Sequence, residues 1–169
     1  PAPPSEAEPG AAPEASPAPE PDPAFEQPPV GIDVGQTAPD FTLNLRGGGT
    51  VTLWELRGAP VLLNVFTTWC PPCQLEYPEI QAVHDAYVGR AAVLGVDIGE
   101  PEADVDEFFD ELDYSYAIAY DPYSEIGGDY KIDFIPQTWI IDANGVITDY
   151  IGGATDYSEF SASLEEALE

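Results

Sequence analysis

The stretch Val61-Leu62-Leu63-Asn64-Val65-Phe66-Thr67-Thr68-Trp69-Cys70-Pro71-Pro72-Cys73 decides the fold of this chain of 169 residues. Its first six residues are apolar except for Asn64, and they have the length of one buried strand. The only two cysteines of the sequence close the stretch, with two prolines between them. The residues from 74 to 87 then predict a helix. A dithiol is therefore expected where a buried strand leads into the N-terminus of a helix.

This position favours a thiolate on Cys70. The first backbone N–H groups of a helix lack partners inside the helix, and the helix dipole is positive at that end. Both effects stabilise a negative sulfur. Pro71 and Pro72 have no N–H group, so the amide of Cys73 is the main donor left in the first turn for the Cys70 sulfur.

The motif from Trp69 to Cys73, placed after an apolar strand, resembles the active site of the thioredoxin superfamily. The segments 35–43 (Gly-Gln-Thr-Ala-Pro-Asp-Phe-Thr-Leu) and 76–78 (Glu-Tyr-Pro) are similar to its extracytoplasmic TlpA/ResA-type branch, with an AhpC/TSA-Redoxin-like domain. The resemblance covers the chain from about Gly35 to the C-terminus. It implies a thiol–disulfide oxidoreductase that uses a redox-active disulfide, Cys70–Cys73, and no other cofactor.

The same resemblance assigns roles to individual residues. An exposed Cys70 attacks or leaves as a thiolate, and a covered Cys73 resolves the mixed disulfide. Trp69, Pro71 and Pro72 support the motif. Pro136 matches the cis-proline that faces the dithiol, and the backbone of Ile135 beside it is then free to pair with an extended substrate segment.

Glu76 is the predicted proton-handling residue. Cytosolic thioredoxins have a buried Asp on the core strand, where this chain has Asn64, which does not titrate. The TlpA/ResA-type pattern instead has a Glu three residues after the second cysteine, and Glu76 occupies that position. Positions i and i+3 are neighbours on one helix face, so Glu76 is expected beside Cys73. The alternative is a solvated carboxylate on the surface of a very acidic protein.

The formal charge is −28, from 32 acidic and 4 basic residues. Such a surface repels nucleic acid and anionic lipid headgroups, so the sequence predicts neither as a partner. The sequence contains no apolar run of membrane-spanning length. The proline-rich N-terminal segment and the resemblance together imply an extracytoplasmic protein, periplasmic or on the cell surface, that is tethered to a membrane through an N-terminal segment removed or lying outside this numbering.

The chain is predicted to divide into a linker, 1–34, and one thioredoxin-like domain, 35–169. The first 29 residues hold 11 of the 19 prolines and six acidic residues without a basic one. This composition cannot bury enough apolar area to offset the entropy of ordering, and it predicts a disordered, extended segment. The segment is interpreted as a stalk, with a solubilising tail as the alternative.

The pattern of the domain predicts an α/β fold with a mixed central sheet and helices on both faces. An N-terminal β-hairpin is expected from 41–45 and 50–53 around three glycines, and a second hairpin around an Asn-Gly turn at 144–145. Parallel strands are expected at 61–66 and 92–96, joined by the helix after the dithiol. The predicted inward-facing residues of three helices are Leu75, Ile80, Val83, Tyr87, Val105, Phe108, Phe109, Leu112, Phe160, Leu164 and Leu168.

Other functions remain open at this point. A peroxiredoxin-like thiol peroxidase shares the opening of the domain, and Thr67 lies three residues before Cys70, but no Arg follows Arg90. A redox-inactive binding domain with a static disulfide is also possible. Metal binding is not predicted, since two thiols and one distant histidine, His84, do not form a tetrahedral zinc site.

The favoured function is the reduction of protein disulfides. The two prolines provide no His or Lys that would stabilise the thiolate further, which favours a reductant. Similar proteins imply a membrane-linked thiol electron donor and a role in cytochrome c maturation. The chain is predicted to act as a monomer.

Overall fold

The computed structural model describes residues 26–169, which form one mixed seven-stranded sheet with helices on both faces. The sheet order is β2-β1-β5-β4-β3-β6-β7. The strands are β1 (Thr42–Leu45), β2 (Thr50–Thr52), β3 (Val61–Phe66), β4 (Ala92–Ile98), β5 (Ala117–Asp121), β6 (Gln137–Ile141) and β7 (Ile147–Gly152). The helices are α1 (Pro71–Ala86), α2 (Glu102–Asp110), α3 (Glu125–Asp129) and α4 (Tyr157–Leu168), and a 3-10 helix spans Leu53–Leu56.

The centre of the sheet is β3, and all six of its residues are buried. It runs parallel to β4 and antiparallel to β6, so that Asn64 lies between Gly95 and Thr138. Gly95 is required there, because a Cβ atom would lie 2.9 Å from the ring of Phe66. The buried strand and the parallel crossover predicted from the sequence are both confirmed.

The two hairpins are also confirmed. β1 pairs with β2 as predicted, and β1 additionally pairs antiparallel with β5, which adds the N-terminal hairpin to the main sheet. β6 and β7 join through the turn 142–145, where Gly145 has φ +86°. The side chain of Asp142 fixes this turn by accepting from the amides of Asn144 and Val146.

The core has two layers, one on each side of the sheet. The layer that contains both cysteines is formed by α1, α2 and α4, with Ile80, Phe109 and Phe160 fully or almost fully buried in it. The opposite layer is formed by the N-terminal hairpin and α3, around Trp139 and Tyr130. Helices therefore cover both faces, as the sequence predicts.

Two predicted core residues lie outside the core. Leu75 is 75% exposed, because the buried stripe of α1 runs through Cys73, Glu76 and Ile80 instead. At 100° per residue, Leu75 is about 140° around the helix from Ile80. Leu112 is also exposed, since α2 begins at Glu102 and ends at Asp110, two residues before it.

The predicted linker, 1–34, falls mainly outside the described residues, which begin at 26. Its last residues contact the domain. The amide of Gly31 donates to the carbonyl of Thr37 at 3.0 Å, and Trp139 Nε1 donates to the carbonyl of Ile32 at 3.1 Å. Ile32 also packs against the core layer around Trp139. Contacts with the domain therefore begin several residues before Gly35, because the apolar side chain of Ile32 packs against the core layer.

Candidate active site

The dithiol lies at the junction of β3 and α1. Cys70 is the N-cap of α1 in extended conformation, and Pro71 and Pro72 begin the helix, where proline is well tolerated. The amide of Cys73 donates to the Cys70 sulfur at 3.3 Å. This is the contact expected from two prolines without N–H groups, and it lets the helix stabilise a negative charge on Cys70.

Cys70 is less accessible than expected. The resemblance implies an exposed first cysteine, but only 4% of Cys70 is exposed. Its sulfur points inward, toward the Cys73 amide and toward the carbonyl oxygen of Ile135 at 3.9 Å.

Cys73 is fully buried in the core layer. Burial raises the pKa of the Cys73 thiol strongly, and the hydrogen bond with Cys70 adds to the effect. The two sulfurs are present as free thiols. At neutral pH Cys73 holds its proton, so its attack on a mixed disulfide requires a group that removes this proton.

Glu76 is in the interior, one helical turn after Cys73. It is 1% exposed, and both carboxyl oxygens are bound. Oε1 accepts from Nδ2 of Asn64 at 2.8 Å, and Oε2 accepts from the amide of Thr155 at 2.9 Å. The Asn64 amide also donates to the hydroxyl of Thr138 at 2.9 Å. The alternative of a solvated surface carboxylate is therefore wrong.

The environment of Glu76 sets its proton affinity close to neutral pH. Burial raises the pKa of Glu76 to about 7, although the hydrogen bonds from Thr155 and Asn64 lower it in part. The negative charges of Cys73 and Glu76 disfavour each other, so an ionised Glu76 also helps to raise the pKa of Cys73. A carboxyl group that exchanges its proton near pH 7 is suited to general acid–base work.

The segment before β6 lies against the dithiol. The peptide bond between Ile135 and Pro136 is cis, as the resemblance implies. Phe134 and Trp69 are partly exposed, and Trp69, adjacent to Cys70, exposes 68% of its surface. The structure thus brings together Trp69, Cys70, Ile135 and the cis-proline on one side of the molecule, with Cys73 and Glu76 beneath.

The loop between β3 and α1 is held by side chains that the sequence did not identify. The hydroxyl of Tyr77 donates to the carbonyl of Thr67 at 2.8 Å, and Nε2 of Gln74 donates to the carbonyl of Thr68 at 2.8 Å. Both side chains come from the first turns of α1, next to the dithiol. Their short spacing from Cys73 in the sequence is therefore a signal that could have identified them. Thr155 and Thr138 are 79 and 62 residues from Glu76, and no local pattern links them to it.

His84 is half-buried near the end of α1, away from the dithiol. Within residues 26–169, no group of three or more His, Cys, Asp or Glu side chains is arranged to hold a metal ion. In the same part of the chain, no helix is both long and apolar enough to cross a membrane.

Comparison with known proteins gives one consistent family. The AhpC/TSA family model matches residues 34–150. The thioredoxin-like protein YneN of Bacillus subtilis strain 168 is 34% identical over 144 residues, which cover 83% of this chain and 84% of YneN. The thiol-disulfide oxidoreductase ResA of Geobacillus thermodenitrificans is 32% identical over 135 residues, covering 79% of this chain and 78% of ResA. The solved structure of the thiol:disulfide interchange protein DsbE from Chlorobium tepidum has a TM-score of 0.76 at 26% identity, covering 82% of this chain and 99% of that one.

Proposed function

The chain belongs to the AhpC/TSA family and is a thiol–disulfide oxidoreductase of the TlpA/ResA type, and on this basis we propose that it reduces protein disulfides outside the cytoplasm. The observation that carries the proposal is the pairing of a helix-capping sulfur, Cys70, with a buried thiol, Cys73, one turn before the buried carboxyl group of Glu76. Each of these groups supports one step of the exchange.

In the first step the Cys70 thiolate attacks one sulfur of a substrate disulfide. A mixed disulfide forms, and one substrate thiolate leaves. The Cys73 amide and the N-terminus of α1 stabilise the attacking thiolate. The backbone of Ile135 lies beside the reacting sulfur and supplies hydrogen-bonding groups for an extended substrate segment.

In the second step Cys73 attacks the Cys70 sulfur. Glu76, as a carboxylate one helical turn after Cys73, takes the Cys73 proton. The Cys70–Cys73 disulfide forms, and the second substrate thiolate leaves and receives a proton. Two electrons pass from the dithiol to the substrate, and a membrane-linked thiol donor restores the dithiol.

The environment of the sulfurs supports the direction of a reductant. Within the described part of the chain, the Cys70 sulfur meets backbone groups of Cys73 and Ile135 and the neutral thiol of Cys73, and none of these is a cation. Strong oxidants of this kind owe their potential to a stabilised reduced form. Here the raised pKa of Cys73 disfavours a second thiolate, so the disulfide form is comparatively stable.

The peroxidase alternative lacks the cation that it requires. Arg90 is the last arginine of the sequence, and it lies after the C-terminal end of α1, where it pairs with Glu165 at 3.2 Å. A peroxide-reducing thiolate needs an arginine beside it. Arg90 instead pairs with Glu165, far from the N-terminus of α1 where Cys70 lies. We therefore favour disulfide exchange over peroxide reduction.

The proposal is tested with the full chain and two substrates. Reduced protein is mixed with insulin and with an oxidised Cys-x-x-Cys-His peptide, the haem-attachment sequence of c-type cytochromes. We expect both to be reduced, with a faster rate for the peptide if the protein serves cytochrome c maturation. A Cys73→Ser variant should accumulate the mixed disulfide on Cys70. Absence of reduction and of trapping would leave the redox-inactive binding domain as the better explanation.

The reduction potential decides the direction. We expect a value for Cys70–Cys73 that is near or below that of thioredoxin, about −270 mV. A value near −120 mV, typical of a strong oxidant, would reverse the proposed direction without affecting the class of reaction.

A further inference from the structure

A carboxylate outside the dithiol motif holds the loop that carries Cys70. Glu100 follows β4, and its two oxygens accept hydrogen bonds from the amide and the hydroxyl of Thr68, at 2.8 and 2.6 Å. The carbonyl of Thr68 accepts from Gln74 at 2.8 Å. Every polar atom of Thr68 is thus bound, two residues before Cys70. Both bonds use Glu100 as the acceptor, and the ionised form offers an acceptor on each oxygen.

A second acidic side chain lies behind this contact. Asp97 is opposite Phe66 in the register of β3 and β4, and its side chain is on the same face of the sheet as the dithiol. It is completely buried, and neither carboxyl oxygen accepts a hydrogen bond from an N–H or O–H group within residues 26–169, whereas a protonated Asp97 can donate to the carboxyl group of Glu100. An ionised carboxyl group without partners is very costly in such a place, so the protonated acid is the form that fits.

The charges around Asp97 are all negative. Glu100 is three residues further along the chain, and Asp121, at the end of β5, caps α3 by accepting from the amides of Glu125 and Ile126. From α1, the phenol of Tyr77 contributes no charge at neutral pH, since burial raises the pKa of Tyr77. Burial, followed by interaction with Glu100 and Asp121, raises the pKa of Asp97 to about 9.

We propose that Asp97 and Glu100 are positioning residues for thiol–disulfide exchange. Ionised Glu100 holds Thr68 by two hydrogen bonds, and Asp97, while protonated, adds no negative charge that would weaken them. Ionisation of Asp97 places a second negative charge against Glu100, which weakens the hold on Thr68 and disfavours the thiolate of Cys70. The loop is then free to move, and small displacements of a reacting group are costly in rate. The proposal rests on the proposed role of Cys70 as the attacking thiol.

The test compares four substitutions in the full chain. Asp97→Asn keeps the shape of the protonated acid and cannot ionise. Glu100→Gln keeps the shape but faces the Thr68 amide with a group that also donates. Thr68→Val removes the 2.6 Å hydrogen bond without changing any charge. Glu102→Gln, on an exposed side chain at the start of α2, is the matched control for the loss of one negative charge.

The rate of insulin reduction and the rate of Cys70 alkylation by iodoacetamide are measured from pH 6 to 10. We expect Glu100→Gln and Thr68→Val to slow reduction at pH 7 by about tenfold, a fraction of what a 1 Å misplacement costs. Asp97→Asn should match the parent at pH 7 and should lack the parent's relative loss of rate above pH 9. A purely structural role would lower the melting temperature and leave the pH curves unchanged.

Two results would overturn the proposal: a Thr68→Val variant as fast as the Glu102→Gln control, or an Asp97→Asn curve that follows the parent above pH 9. Mapping the alkylated cysteine in the parent tests the proposed function separately. Label on Cys73 would contradict the role of Cys70, whatever the pH curves show.

Discussion

The side-chain amide of Asn64 donates to Glu76 at 2.8 Å and so ties the central strand to the helix that begins at the dithiol. The same amide donates to Thr138 on the neighbouring strand, which fixes its orientation. Asn64 therefore has a structural role in the place where cytosolic thioredoxins have an ionisable Asp. Under the proposed mechanism, the helix residue Glu76 exchanges the proton, and Asn64 on the strand holds the Glu76 carboxyl group in place.

Replacing Glu76 by Gln should remove the proton acceptor for Cys73. In the parent, Glu76 loses its proton as the pH rises through about 7, so the second step of the exchange should accelerate there. In the variant we expect this acceleration to disappear and the rate above pH 7 to fall by up to about 10²–10⁴-fold. Stopped-flow measurement of mixed-disulfide resolution from pH 5 to 9 checks this.

Glu79→Gln is the matched control for that experiment. Glu79 is on the same helix, and it also accepts from an amide at the start of α4, that of Tyr157, at 2.8 Å. It is not in the core layer with the cysteines. Its loss should leave the pH dependence unchanged, and a Glu76→Gln curve that overlays both the control and the parent would contradict the role of Glu76.

Replacing Asn64 by Asp should move the pH dependence upward. Two carboxyl groups would then share one site at the distance of a hydrogen bond, and one of their apparent pKa values rises strongly in such a pair. We expect the midpoint of the rate profile to increase by at least about one pH unit. Thr138→Val removes the other partner of the Asn64 amide without adding charge, and it should leave the midpoint in place.

Asp97→Asn should make stability less sensitive to alkaline pH. The pKa of Asp97 is raised in the folded state, so the folded protein binds more protons than the unfolded chain between about pH 4 and 9, and its free energy of unfolding falls as the pH rises through this range. Above pH 7, where Glu76 has largely lost its proton, the contribution of Asp97 remains. It can reach about 1.4 kcal/mol per pH unit.

Urea unfolding of parent and variant at several pH values between 7 and 9 checks this prediction. The difference between the two free energies cancels the effect of the surface carboxylates that both proteins share. A constant difference over this range would show that Asp97 is already ionised at pH 7.

The sequence predicts the parts of the site that depend on local pattern. A strand of six mostly apolar residues followed by the dithiol predicts the junction of β3 and α1, and the i to i+3 spacing predicts that Glu76 lies on the face of Cys73. The prediction of buried residues from the sequence is wrong where a polar residue occupies a core position. The apolar character of Leu75 predicts a buried side chain, but the buried stripe of the helix passes through Glu76 instead.

The sequence also does not predict contacts between segments that are distant in the chain. The amide of Thr155 binds Glu76 across 79 residues, and Glu100 binds Thr68 across 32. Both arise from the order of strands in the sheet and the packing of α4 on α1, which no local spacing encodes. Asp97 does give a local signal, because it continues the buried strand from Ala92 with a residue type that rarely lies in a core.

Removal of residues 1–25 should leave stability unchanged, because the hydrogen bonds of residues 27–37 remain. Removal through residue 34 should lower the free energy of unfolding by about 1–3 kcal/mol, since Trp139 Nε1 then loses its acceptor at Ile32. Chemical unfolding of both truncated proteins and the full chain checks this. Equal stability of all three would place the start of the domain at Gly35, as the sequence alone predicts.

The acidic segment 98–130 should accelerate encounters with basic partners. Arg46 pairs with Asp110 at 2.6 Å and lies near Asp106, but four exposed carboxylates in and after α2 have no Lys or Arg partner within the described residues. These are Asp104, Glu107, Glu111 and Asp113. Neutralising all four as Asn or Gln should slow reaction with a basic disulfide peptide at least about threefold at low salt.

The difference in rate between the parent and this quadruple variant should vanish at 1 M salt, where the Debye length is about 3 Å. The matched control neutralises four other exposed carboxylates, Asp33, Asp85, Glu166 and Glu169, and changes the net charge equally. Equal rates for the two quadruple variants at low salt would mean that total charge, and not this segment, steers the partner.

The hydrogen bond from the Thr155 amide to Glu76 turns a backbone position into a spectroscopic probe of the interior. The chemical shift of an amide proton depends on whether its acceptor is a carboxylate or a carboxylic acid, so the Thr155 resonance should titrate with the Glu76 proton. Oxidation of the dithiol changes the charge beside Glu76 and should displace that titration. An ¹⁵N-labelled sample would then report the redox state of two buried sulfurs from an amide far along the chain, without a chemical label on either of them.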